Sequence, residues 1–325
     1  QGIIAGKYYI RKPGPESAPI EGAEEWSPII RRCVLNDRER LLGDIASLVR
    51  APKKQVSSTQ SPLVVWHRLG KERFLKLLEQ AKKLDWQVPI KKNYCQFCYL
   101  ISKDDDDFIP EGSLPKVLDE VNNEVRDTVW TGWSMFYPFS REEIAPAFHP
   151  EHDDGTGINV LEANLMGDGE FDTSLPDFWR VTTDGRATIA RPYREDRIRT
   201  VDSRERAAGT WMSPETIVRE TAEFVTHARQ FARRFETTTT VAFRCSWIGL
   251  ENRELMDFDP AIYWSPGRIA KANHGTAEGE WTNVQLAADW ASVVADLACP
   301  ILRLFGYMDC NPEMVERMAP RFIKL

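Results

Sequence analysis

The sequence predicts an α/β (α+β) chain, with a mixed, largely antiparallel sheet packed with amphipathic helices and preceded by a smaller region of helix and strand. Three observations carry this. Residues 214–235 keep apolar side chains at helical spacing over about five turns, through Ile217, Val218, Phe224, Val225, Ala228 and Phe231. TTTTVAFRCSWIGL (237–250) leads from β-branched residues into alternating aromatics, which suits a pleated strand. Eight of the eleven tryptophans fall between Trp130 and Trp290, so the main core is expected there, because tryptophan is costly to leave in water.

Each element follows in order. Residues 2–11 read as a strand and KPGPESAP (12–19) as a turn-rich loop. Trp26, Ile29 and Ile30 open a helical pattern that resumes from Leu41 to Val49. APKKQVSSTQSP (51–62) is polar and reads as a linker, or as a long surface loop within one domain. A helix is predicted from Lys71 to Leu84 with Phe74, Leu75, Leu78 and Ala81 on one face. NYCQFCYLIS (93–102) alternates as a strand, and Leu118, Val121 and Val125 mark a helix over 114–129. FWRV and ATIARPY form a hairpin about Asp184-Gly185, taken as a two-residue turn. Ser213 caps the helix that follows, with Pro214 as its first residue. A last helix starts after Thr282 and is bent or ended by Pro300. The expected organisation is residues 1–50, a linker and small α/β region over 51–129, and a Trp/Arg-rich α/β domain over 130–325.

Composition narrows the function. The chain has 325 residues, 42% hydrophobic and 28% charged, with a formal net charge of −7. Binding long nucleic acid through the overall field would need a basic chain, so any such contact needs a local patch. Six cysteines, scattered apart from Cys95-Gln-Phe-Cys98, do not form a disulfide framework, which points to a reducing, cytoplasmic setting. No apolar run is long enough for a bilayer. The first residue is Gln1 and an apparent strand follows at once, so an upstream part is expected.

Several motifs could carry chemistry. His149, His152 and Asp153 form the one dense group of metal-type ligands, on a loop interrupted by proline. In the CxxC motif, strand periodicity sends Cys95 and Cys98 to opposite faces, so core packing is the expectation. Asp104 to Asp107 lacks the spacing and glycine of a calcium loop and reads as solvated. His227 sits at the edge of an apolar stripe. No nucleophile elbow, phosphate loop or dinucleotide fingerprint is present, and no cofactor is expected.

The arginines are the strongest candidates. With a two-residue turn, Arg180 lies opposite Ile189 and Arg191 opposite Phe178, so both arginines share one face and Arg194 follows in the loop. Two guanidiniums on one face can grip a phosphate or carboxylate, although Asp177, Glu195 and Asp196 stand ready to pair with them. Trp179 and Trp247 are candidate stacking platforms, with Arg244 and Arg253 near Trp247 in sequence. Trp247 reads equally as part of a packed core strand.

GKYYIRKPGPESAP (6–19), followed by Glu24, Glu25 and Trp26, resembles the end of the Schlafen-type AlbA domain found in many bacterial proteins and described as DNA-binding or ATP-binding. Tyr8, Tyr9, Arg11 and Ser17 carry the resemblance, which covers about the first fifty residues; later segments resemble the C-terminal regions of such proteins only in general character. The resemblance implies a place in regulation, RNA processing or defence, and a nucleic-acid or nucleotide contact at Arg11. The family's acidic signature would lie before Gln1, so no catalytic carboxylate carries over. The resulting expectation is a non-catalytic sensing or interaction region of an AlbA-type protein, binding an anionic ligand, nucleotide or partner. The alternatives are a metal-dependent hydrolase at His149, His152 and Asp153, and a homo-oligomer assembly module.

Overall fold

The computed structural model describes residues 61–81, 88–128, 135–137, 145–149, 159–165, 176–197, 204–256 and 267–322, with the short strands at 9–11, 17–19 and 200–201. The chain divides into two compact units, Gln1–Thr59 and Gln60–Leu325. In the first, β1 (Tyr9–Arg11) pairs antiparallel with β2 (Ser17–Pro19), placing Arg11 opposite Ser17. Three of the eight residues expected as a loop over 12–19 are therefore the return strand of a small hairpin.

The second unit is built on one seven-stranded sheet. Its strands are β3 (Tyr94–Ser102), β4 (Ala147–His149), β5 (Val160–Asn164), β6 (Phe178–Thr182), β7 (Arg186–Pro192), β11 (Thr240–Ile248) and β13 (His274–Thr282). Their spatial order is β13-β11-β3-β7-β6-β5-β4, and every pairing is antiparallel. The expected mixed α/β class with an antiparallel sheet is the observed one. The division at 129/130 is not observed, because β3 lies at the centre of the sheet that the later strands complete. Four short strands stand apart. β8 (Thr200–Val201) pairs with β9 (Arg204–Glu205), and β10 (Trp211–Met212) runs parallel to β12 (Glu254–Leu255).

Period-two alternation in β3 makes the sheet the middle of three layers. Cys95, Phe97, Tyr99 and Ile101 enter the large core, formed with α2 (Leu114–Thr128), α3 (Pro214–Ala232) and α5 (Trp290–Leu304). Tyr94 and Cys98 face the other way, toward α1 (Pro62–Gln80). The CxxC cysteines thus occupy opposite faces, as the strand period requires. α1 begins nine residues before the predicted start at Lys71, because Leu63 and Trp66 are needed to cover the second face.

The C-terminal end departs from expectation in two ways. The single last helix expected is two, the short α4 (Asn283–Ala288) and then α5, and Pro300 lies inside α5 without ending it. Cys299 and Cys310 form a disulfide that joins the end of α5 to the approach to α6 (Pro312–Met318), where separate thiols were expected. Cys95, Cys98 and Cys245 are free and buried. No helix among the described residues is long and apolar enough to cross a membrane.

Candidate functional site

The β6–β7 hairpin turns through three residues, Thr183, Asp184 and Gly185. Gly185 has φ +93°, and its amide donates to Thr182 O over 3.2 Å. That left-handed position suits glycine and closes a three-residue hairpin. The extra residue moves the register by one. Arg180 faces Thr188, and Phe178 faces Ala190. A one-residue shift exchanges faces, so Arg180 and Arg191 lie on opposite sides of the sheet. The same-face pair expected from the sequence is not formed.

Arg191 points toward α3, only 8% exposed. Its Nη1 lies 2.7 Å from Glu220 Oε2, and its Nη2 lies 3.0 Å from Asp177 Oδ2. Burial opposes the charge on Arg191, but Asp177, Glu220 and Glu223 outweigh it and raise its pKa. Burial pushes Asp177 up to about 6 against the pull of Arg191. This is a closed ionic clasp that ties β7 and the segment before β6 to the central helix.

A second clasp holds the loop after β7. Arg253 is fully buried and binds Asp196 through Nη1 to Oδ1 at 2.7 Å and Nη2 to Oδ2 at 2.8 Å. Its remaining donors reach Gly249 O, Trp211 O and Asn93 Oδ1. Tyr193 stacks on Trp247 at 5.8 Å and 9°, with Arg253 over the same tyrosine ring at 4.8 Å. Trp247 and Trp179 are both buried in the large core, and Arg194 is exposed. His227 is sealed against Tyr99 and Phe136, and burial lowers its pKa to about 3.

His149 lies on β4, half-buried, whereas His152 and Asp153 fall outside the described residues. Among the described residues no group of three or more metal-type side chains is arranged to hold an ion. The side chain of Arg11 likewise lies outside them.

The other face of the sheet holds a cluster that the sequence reading did not assemble. Register places Glu278, Arg244, Cys98, Thr188, Arg180 and Glu162 in one row across six strands. A glutamate stands at each end, an arginine inside each glutamate, and two small residues at the centre. Arg244 pairs with Glu278, and Arg73 of α1 pairs with Glu162 at 2.7 Å. Over the row lies Trp66, 1% exposed, with Arg180 Cζ 4.0 Å and Arg186 Cζ 4.9 Å from its ring centroid. Arg186 also reaches Asp184 at 3.0 Å. A guanidinium this close to an indole face is held by the ring's quadrupole.

The helix above this row sits unusually close. A Cβ at Gly70 would lie 2.7 Å from Thr188 Cγ2, so only glycine permits this approach. Gln96 donates to His67 O at 2.7 Å. Yet Trp66 Nε1, His67 Nε2 and Gln96 Oε1 are buried with no hydrogen-bond partner among the described residues. Burial lowers the pKa of His67 to about 3, helped by Arg244 and Lys71, so the imidazole is neutral. The sequence signal for this face was present but faint: polar residues at alternate positions, Gln96 in β3 and Arg186 and Thr188 in β7, inside otherwise apolar strands.

No family model, curated protein or solved structure matches the chain.

Proposed function

We propose that this chain is a non-catalytic sensing region of a bacterial AlbA-type, nucleic-acid-associated protein. Its ligand-recognising surface is the sheet face that carries Arg180, Arg186 and Arg244, and the ligand class is a nucleotide or related anion. The observation that carries the reading is the aromatic ring of Trp66 within 5 Å of both the Arg180 and the Arg186 guanidinium, at 4.0 Å and 4.9 Å. Planar cations stacked on a flat ring are what nucleobase recognition uses, and guanidiniums are the preferred partners of phosphate. The AlbA-like segment with Arg11 would supply the nucleic-acid contact.

Thermal denaturation of the full chain with adenosine monophosphate, inorganic phosphate and a single-stranded oligonucleotide tests it. The expected result is a concentration-dependent rise in Tm with at least one of these anions, lost in R180M/R186M. Equal shifts in the two proteins, or none in either, would discard the reading.

A further inference from the structure

We infer that the face beneath the N-terminal half of α1 is a nucleotide site held shut by Trp66, with Gly70 as the hinge. The inference deepens the proposed function and rests on it.

The two halves of α1 are held differently. In the C-terminal half, Phe74 is fully buried against Tyr94 at 5.0 Å and Phe178 at 6.1 Å, with Ile90 and Ala190 around it. Such burial contributes about 1.5–3 kcal/mol per large apolar side chain. The N-terminal half also buries Leu63 and Trp66, against Cys98 and Val160, but the rest of its footing is polar: Arg180, Arg186, Gln96 and Thr188. There, three buried polar atoms lack partners among the described residues, and each such group costs about 1–3 kcal/mol, which offsets the burial of Leu63 and Trp66. Its start is also weakly fixed. Pro62 sets the first turn, but Ser61 makes no side-chain cap and no acidic residue occupies that turn. Gly70 falls between the halves, where a helix-interior glycine costs about 1 kcal/mol relative to alanine. Local opening is therefore cheapest from Pro62 to Gly70, with the Phe74 half left in place.

Opening exposes a slot of defined chemistry. Trp66 is a flat bicyclic ring in contact with two guanidiniums, and a purine has a similar shape and stacking faces. Arg244 lies three strand spacings from Arg180, about 14 Å along the row, and the long side chains shorten that span. Paired with Glu278 at the edge of the sheet, it places a further guanidinium donor at the other flank, beside His67 and Lys71. A purine nucleotide satisfies both parts, with its base in place of the indole and its phosphate toward Arg244. Free inorganic phosphate fills only the second, and adenosine only the first.

Hydrogen exchange of the full chain and adenosine monophosphate titrations test this together. Without ligand, amides 64–70 are expected to exchange about tenfold or more faster than amides 72–79. Removing the plug with Trp66→Ala should tighten adenosine monophosphate binding by about tenfold or more, because the competent state no longer has to be opened. Adenosine and inorganic phosphate should each bind that variant more weakly, and W66A/R180M/R186M should bind none of the three. Should Trp66→Ala fail to fold, Trp66→Phe carries the same comparison with a smaller ring. Equal exchange in both halves, or equal affinity in wild type and plug variant, overturns the latch. Arginine-dependent binding that leaves exchange at 64–70 unchanged also overturns it, while the sensing role survives. No binding of any of the three by any variant removes both.

Discussion

α1 and α3 are both nineteen residues long and cover opposite faces of the same sheet. Their terminal chemistry and interfaces are otherwise unlike. α3 is capped by Ser213, whose side chain accepts from Thr216 N, and it has Pro214 and Glu215 in its first turn and Arg229 in its last. Most of its residues are buried, and its polar side chains are used as struts, Glu220 to Arg191 and Thr226 to Trp290. α1 has neither a side-chain cap nor favourable charge at its ends, and half of it lies on a polar surface. One helix is built into the fold. The other covers a face that carries its own charged row. Equal length and equal burial of a few large residues do not make two helices equally permanent; the satisfaction of what they bury does.

The sharpest way to break this contrast is Arg191→Met. It strips the cation from Asp177 and Glu220, leaving two carboxylates buried together. Removing one partner of a buried ion pair costs about 3–5 kcal/mol, and here the loss should fall on the whole unit. Guanidinium denaturation should show one transition at lower midpoint with unchanged slope. If only a local step moved, α3 would not be the permanent helix argued above.

Much of the frame was legible beforehand. α3 and β11 announced themselves because local propensity and tertiary role agree: a cap, a first-turn proline and a wide apolar stripe in one, β-branched and aromatic alternation in the other. β13 was missed because Gly275 and Gly279 depress strand propensity; Ile301 and Leu304 press on Gly275, where a Cβ would lie under 3 Å from each. The candidate site was illegible for a different reason. A single residue in the hairpin decides which face every β6 and β7 side chain takes. Asp184-Gly185 fits a two-residue turn as readily as the tail of a three-residue one. Read the first way, Arg180 and Arg191 are neighbours; in the structure they are separated by the sheet. Trp66 was overlooked because Gly70 and the polar residues around it break the amphipathic pattern where the helix meets arginines instead of apolar side chains.

Acid should separate the two helices next. His67 faces Lys71 on its own helix, Gln96 from β3 and Arg244 from β11, and its pKa is held at about 3 while α1 is closed. Once the helix lifts, the imidazole recovers an ordinary value near 6.5. The open state then binds more protons between those two values, so opening grows easier as pH falls below about 6.5 and is insensitive above it. At pH 5 the gain is about 2 kcal/mol, roughly thirtyfold in the opening equilibrium. His227 has the same lowered pKa, but it is sealed under α3, so its contribution appears only in global unfolding. Protection factors for 64–70, corrected for intrinsic exchange, should therefore fall at pH 5 while those of α3 stay near the global limit. His67→Gln should abolish the fall.

The smallest effect concerns the helix ends. Ser213→Ala removes the cap of α3 and should cost about 1 kcal/mol of global stability. Ser61→Asp supplies α1 with what it lacks, a carboxylate at the exposed N-terminus that accepts from the first-turn amides and complements the helix dipole. The gain expected at such a position is about 0.3–1 kcal/mol. Because α1 opens from this end, the gain should leave the denaturation midpoint nearly unchanged and slow exchange at 64–70 by about two- to fivefold, with 72–79 unaffected. A rise in global stability instead, with both halves slowed alike, would mean that α1 unfolds only with the sheet. The two helices would then differ in chemistry but not in permanence.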